Sequence, residues 1–103
     1  MSTVIYGLLE EEKERNLEMQ EVYQNEIDSL PKGSIIRRQI GKGKNTYHYL
    51  NYRDGTKPIS KYLGNDEELI TETRKKIKKR KHLESIVKRL KLEYKQICKI
   101  VKE

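Results

Sequence analysis

The chain has 103 residues, 34% of them apolar and 38% charged, with neither Trp nor Phe and a formal charge of +7. That length fits one domain near the lower limit for an independent core, which Leu, Ile, Val and Tyr must fill. No run approaches the roughly 20 apolar residues that span a bilayer, so a membrane-spanning role is excluded.

A lone cysteine, Cys98, has no partner for an internal disulfide, and no basic region followed by a long apolar run opens the chain. The cytosol is the expected compartment. Charge is unevenly spread: residues 1–31 carry two bases against eight acids (−6), residues 32–64 eight against one (+7), and residues 65–103 thirteen against seven (+6). A surface this basic over two thirds of the chain is aimed at a polyanion or at an acidic protein face.

The first element, "STVIYGLLEEEKERNLEMQEVYQNEIDSL", has no internal proline and sets Met19, Val22, Tyr23, Ile27 and Leu30 three to four apart, which predicts one apolar helical face. An acidic helix over residues 1–30 follows, stopped by Pro31-Lys32-Gly33. Its middle, "EEEKERN", has nothing apolar, so it is solvated or packs through side-chain stems.

From Ser34 the period changes to two. "SIIRRQI", "TYHYLNYR" and "KPISKYLG", separated by the loop "GKGKN" and the turn dipeptide "DG", predict three antiparallel strands across residues 34–64. Alternation sets Ile36, Arg38 and Ile40 against Ile35, Arg37 and Gln39, then Tyr47, Tyr49 and Asn51 against His48, Leu50 and Tyr52, then Ile59, Lys61 and Leu63 against Ser60 and Tyr62. Both faces are mixed, so alternation alone leaves the buried one open.

Gly64 ends the third strand, and Asn65 with Glu68 three residues on forms a capping-box variant. No Gly or Pro interrupts residues 65–103, and Leu83, Val87, Leu90, Tyr94, Ile97 and Val101 alternate spacings of four and three as a heptad seam does. A helix of that length, about 58 Å, needs a partner: the first helix, a second copy paired through this seam, or both. The expected architecture is therefore α+β in a single domain: an N-terminal helix, a three-stranded antiparallel meander, and a long basic C-terminal helix forming a helical hairpin or coiled coil.

Two constellations bear on chemistry. "TRKKIKKRKH" places Arg74, Lys75, Lys76, Lys78, Lys79, Arg80 and Lys81 around nearly every face of a helix except that of Ile77, which suits a phosphate backbone and carries no base-reading specificity. The bland reading pairs the basic helix with the acidic one, Glu18 and Glu21 lying beside residues 73–82 and Glu10 to Glu14 beside Lys88 to Lys95. The second constellation interleaves Arg37, Arg38, Lys42, Lys44 and Arg53 with Tyr47, Tyr49 and Tyr52, a mixture that enters a major groove or stacks on unpaired bases. Its bland reading makes one or two of the tyrosines core. His48, His82 and Cys98 show no zinc spacing, "GKGKN" lacks the phosphate-loop pattern, and neither Ser34 nor Ser60 sits in a nucleophile elbow, so no enzyme, metal or cofactor is expected.

"LPKGSI", "YHYLNYRDG", "SKYLG" and "DEELITETRKKIKKRKHLE" resemble, over roughly residues 30–93, a family of short proteins from clostridia, archaea and their mobile elements with no assigned activity. The order of a tyrosine-rich second strand, a tight Gly turn and a basic third strand is also similar to the arm-binding domains of tyrosine recombinases, whose three-stranded sheet inserts into the DNA major groove. That resemblance implicates Arg37, Lys44, Tyr47, Tyr49, Arg53 and Lys61. The expected function is non-enzymatic binding of nucleic acid, preferably duplex DNA, through the sheet and the basic helix. The alternative is a protein-binding module, such as an anti-CRISPR-like inhibitor from a mobile element that blocks a host nucleic-acid enzyme.

Overall fold

Glu, Leu, Lys, Met and Gln, all good helix formers, carry the first helix, α1, from Thr3 to Asp28. Ser29 closes it by donating from both its backbone N–H and its hydroxyl to the Glu26 carbonyl, at 3.1 and 2.6 Å. Three strands follow, β1 (Ser34–Gln39), β2 (Thr46–Asp54) and β3 (Lys57–Gly64), and then α2 (Glu67–Lys102). This is the expected α+β order. The computed structural model describes residues 3–39, 41, 43 and 45–102, so Ile40 at the expected end of β1 lies outside the described residues.

The chain divides into two compact units, Leu30–Arg80, and Met1–Ser29 with Lys81–Glu103. In the first, β2 is the central strand of an antiparallel sheet ordered β1-β2-β3. Asp54 pairs with Lys57, leaving a two-residue turn whose first position, Gly55, has φ 64. That is the type II′ geometry that matches the natural strand twist. The turn fixes the register, so Tyr49 faces Tyr62 and Leu50 faces Lys61, with an irregularity between His48 and Tyr49 that lets His48 face Gly64.

Leu50 and Leu63 project from one face of this sheet into a cluster with Ile70 and Ile77 of α2, flanked by Ile35 and Tyr52. Each fully buried aliphatic of this kind contributes about 1.5–3 kcal/mol. Sequence neighbours of the cluster also hold the helix in place. Asp66, one residue after the expected cap Asn65, accepts from the backbone N–H groups of Glu68 and Leu69 at 3.1 and 3.2 Å, so Asp66 is the N-cap and Glu67 and Glu68 occupy the first turn. Arg80 donates from Nη1 to the Leu30 carbonyl at 2.7 Å, bringing the two ends of this unit side by side.

The second unit is a helical hairpin within one chain. Asn16 of α1 donates to the Leu90 carbonyl of α2 at 2.9 Å, and Lys13 Nζ lies 6.0 Å from the centre of the Tyr94 ring. Leu83, Val87 and Leu90 are buried, and Tyr94, Ile97 and Val101 are half-buried, so the seam expected in the C-terminal helix is a packed face. The face expected of α1 is different. Met19 and Val22 are exposed, and the inward stripe is Tyr6, Leu9, Lys13, Asn16, Gln20, Tyr23 and Ile27, a three-four alternation with polar side chains at its middle positions.

This antiparallel register also shifts the expected charge pairing. With Asn16 against Leu90, Glu18 and Glu21 lie level with positions 85–89 rather than 73–82, and Glu10 to Glu14 with positions 92–97. Tyr94 is held above the ordinary tyrosine value of 10.0, first by a side-chain hydrogen bond with Cys98 and then by desolvation.

Candidate nucleic-acid interface

Because side chains alternate across a strand, burying Leu50 with Ile70 and Ile77 commits His48 and Tyr52 to the same covered side and turns Tyr47, Tyr49, Asn51 and Arg53 to the other. Cross-strand partners extend that second face. Arg38 stands opposite Tyr47, Ile36 opposite Tyr49, Tyr62 opposite Tyr49 on the other side, Ser60 opposite Asn51, and Pro58 opposite Arg53. No element of this unit covers the face, and among the described residues it carries no Asp or Glu.

Three tyrosines form its centre. The Tyr62 ring meets Tyr49 edge-on at 5.3 Å between centroids and 62°, and Tyr47 at 5.9 Å and 44°. Those separations fall in the favourable range for offset and T-shaped pairs. Tyr62 is 57% exposed, so its ring is available to a ligand. Gly64, whose φ of 69 favours glycine, lies beneath the ring, and a Cβ there would stand in ordinary contact with it at 3.4 Å.

The cations stand around this cluster. The Arg38 guanidinium carbon lies 5.4 Å from the centre of the Tyr49 ring, a cation–π arrangement that orients the side chain along the sheet. Arg38 and Arg53 then line a shallow groove of about 320 Å³ together with Asn51, Pro58 and Ser60. The Ser60 hydroxyl donates to Asn51 Oδ1 at 2.7 Å, which leaves the Asn51 amide N–H groups to face a ligand.

The expected site residues therefore separate. Arg38, Tyr47, Tyr49 and Arg53 share the open face. Arg37 and Lys61, sequence neighbours of that set, are exposed on the edge strands but belong to the face that carries Leu50, since Arg37 pairs with His48 and Lys61 with Leu50. Tyr52 joins the core, as the bland reading of the tyrosines has it. Lys42 and Lys44 lie outside the described residues. On α2, Arg74, Lys75, Lys76, Lys78 and Lys79 are exposed, Arg74 beside the stripe of Ile70 and Ile77 and the four lysines further round the helix, and Lys81 is exposed where α2 enters the other unit. Arg80 is half-buried and holds the Leu30 carbonyl. Arg38 and Arg53 on the open face and the exposed lysines of α2 thus lie on opposite sides of a two-layer unit and do not make one patch, whereas Arg37 and Lys61 lie on the side that α2 covers.

Tyr62, Asn51 and Ser60 are absent from the sequence-derived set. The signal for them is the two-residue turn: pairing Asp54 with Lys57 already places Tyr62 beside Tyr49 and Ser60 beside Asn51. His48, on the covered side, has Nδ1 3.3 Å from the Gly64 carbonyl, and a carbonyl only accepts, so Nδ1 carries the proton. Among the described residues no group of three or more His, Cys, Asp or Glu side chains is placed to hold a metal ion. Among the described residues no helix is long and apolar enough to cross a membrane.

Residues 9–75, about two thirds of the chain, match the family described as Domain of unknown function (DUF6788). The match takes in most of α1, the whole sheet and the first turns of α2. No curated protein matches the chain. No solved structure matches it either.

Proposed function

The chain belongs to the DUF6788 family, and from that premise we propose that it is a non-enzymatic nucleic-acid-binding protein that uses the open face of its sheet on duplex DNA. The observation that carries this reading is the composition of the one sheet face left uncovered in its unit: Tyr47, Tyr49 and Tyr62 with Arg38 and Arg53, and no carboxylate among the described residues. A tyrosine cluster beside two arginines, on a face that no element of its unit covers, offers rings for stacking and cations for phosphates together. Three strands set about 4.8 Å apart span about 10 Å, within the width of a major groove, about 12 Å. Arg38 and Arg53 supply phosphate or guanine contacts, and the Asn51 amide suits an adenine edge. The lysines on the far side of α2 add long-range attraction without sharing the contact surface.

The test is fluorescence anisotropy of a labelled duplex, with a single strand of the same sequence in parallel. Two phosphates neutralised by Arg38 and Arg53 imply that affinity falls about tenfold between 50 and 200 mM salt. Arg38→Glu with Arg53→Glu should abolish binding with helix content unchanged, and Tyr62→Ala should weaken it. Equal loss from Lys75→Glu with Lys78→Glu alone would move the contact to the helix. Tighter binding of the single strand would make Tyr62 a stacking platform, and no binding at low salt would direct the basic surface to an acidic protein partner instead.

A further inference from the structure

Besides its inward stripe, α1 carries a second one, about 100° round the helix, made of Ile5, Leu8, Glu12, Arg15, Met19 and Val22 at alternating spacings of three and four. Its apolar members are open to solvent: Ile5 is 50% exposed, Leu8 59%, Met19 38% and Val22 63%. Its two charged members pair with each other, Arg15 Nη1 to Glu12 Oε2 at 3.0 Å. The stripe reads apolar, apolar, acid, base, apolar, apolar. That order is its own complement when reversed, apart from the sign of the two central charges, which is inverted as pairing requires.

We propose that this stripe is a homodimer interface that takes α1 of a second copy in antiparallel orientation. A two-fold axis passing between Lys13 and Glu14 sets Ile5 opposite the partner's Val22, Leu8 opposite the partner's Met19, and Glu12 opposite the partner's Arg15. Both ends of the contact are then apolar, and the centre is a ring of two acids and two bases in place of one isolated surface pair. A parallel pairing is excluded by the same residues, since it would set Glu12 on Glu12 and Arg15 on Arg15. The interface is isologous, about 25 Å long from Ile5 to Val22, and leaves the seam between α1 and α2 intact. Glu11 and Glu18 border the stripe on its solvent side and repel across the axis, so association is weak at low ionic strength and strengthens with salt.

The experiment is light scattering coupled to gel filtration of the full chain from about 5 to about 500 µM, a span wide enough to catch a weak dimer. A monomer–dimer equilibrium that tightens between low and moderate salt is expected. Glu12→Arg alone sets four bases at the centre, and Arg15→Glu alone sets four acids; each should raise the dissociation constant at least about tenfold. Mixing the two single variants should restore association as a heterodimer, and the double variant carrying both changes should dimerise as the native chain does. Circular dichroism checks that each variant keeps its helix, which surface positions on α1 should allow. A chain that stays monomeric throughout that range overturns the proposal. So does a dimer that both single variants leave unchanged, or one that the mixture fails to restore.

Discussion

Asn16 and Leu90 stand 74 residues apart in the chain, and the Asn16 side-chain amide donates to the Leu90 carbonyl at 2.9 Å. The remaining oxygen of that amide accepts from Gln20 Nε2 at 2.6 Å, so a side chain only 4% exposed is satisfied on both sides. Buried in the seam and paired on both sides, this amide ties α1 to α2, and a side chain there that cannot donate forfeits the bond while remaining desolvated.

Replacing Asn16 by Asp is expected to lower stability by about 2–3 kcal/mol at neutral pH, since a carboxylate oxygen would then face the Leu90 carbonyl. The protonated carboxyl can donate again. Measured as the difference from the native chain in urea unfolding, the deficit should therefore shrink from pH 7 towards pH 4; a deficit that grows on acidification would contradict the donor role.

Gly33 and Gly55 both have positive φ, 113 and 64, but only Gly33 is crowded: a Cβ there would overlap the Asn51 carbonyl oxygen and come 2.8 Å from Tyr52 Cβ, whereas nothing lies within 4 Å at Gly55. Gly55→Ala should cost about 1–2 kcal/mol, the backbone term alone. Gly33→Ala should cost at least about 3 kcal/mol, with strain and displacement of β2 added. Equal losses in chemical denaturation would remove Gly33 from its place as the tight entry to the sheet.

Arg80 is read from sequence as one base among seven, yet it reaches a backbone carbonyl, that of Leu30. A hydrogen bond from a charged donor is worth about 1.5–3 kcal/mol, so Arg80→Gln should lower the melting temperature by about 6 °C or more. Lys75→Gln, at an exposed position, should change stability by less than about 0.5 kcal/mol. Duplex affinity offers a second contrast, falling for Arg38→Gln at constant melting temperature.

Tyr94 should ionise above the ordinary tyrosine value in an alkaline titration followed by tyrosinate absorbance. Its folded value lies above 10.0 because Cys98 hydrogen-bonds to it, so the neutral phenol favours the folded state, and the contribution is complete below 10.0 and lost as pH rises through the folded value. Cys98→Ala should move that titration down, and Tyr94→Phe should delete it. Superimposable curves for the native chain and Cys98→Ala would assign the shift elsewhere.

The strands and their turn were legible because period-two alternation and a Gly turn are local signals, and once Asp54 faces Lys57 the rest of the β2–β3 ladder follows as far as Tyr49. The inward face of α1 was not, because Lys13, Asn16 and Gln20 occupy three of its seven positions, so apolar periodicity picks out Met19 and Val22, which belong to the neighbouring stripe. Which sheet face is buried depends on Ile70 and Ile77, residues beyond the sheet, and no reading of the strands alone contains that information. Arg37 and Arg38 show the limit most simply: adjacent in sequence, they lie on opposite sides of the sheet, and a basic dipeptide in a strand is never one site.

The bond between Arg80 and Leu30 also bears on the order in which the molecule is assembled. Residues 30–80 are consecutive and hold the sheet and its helical cover between them, whereas α1, synthesised before them, packs on the part of α2 synthesised after them. Closing a loop of 74 residues costs about 4 kcal/mol of chain entropy. With Leu30 and Arg80 already held together, only the segments from Asn16 to Ser29 and from Lys81 to Leu90 remain loose, and the cost of bringing Asn16 to Leu90 falls by about 1 kcal/mol. The element made first is thus placed last, and amide protection during refolding should appear in β2 before it appears in α1.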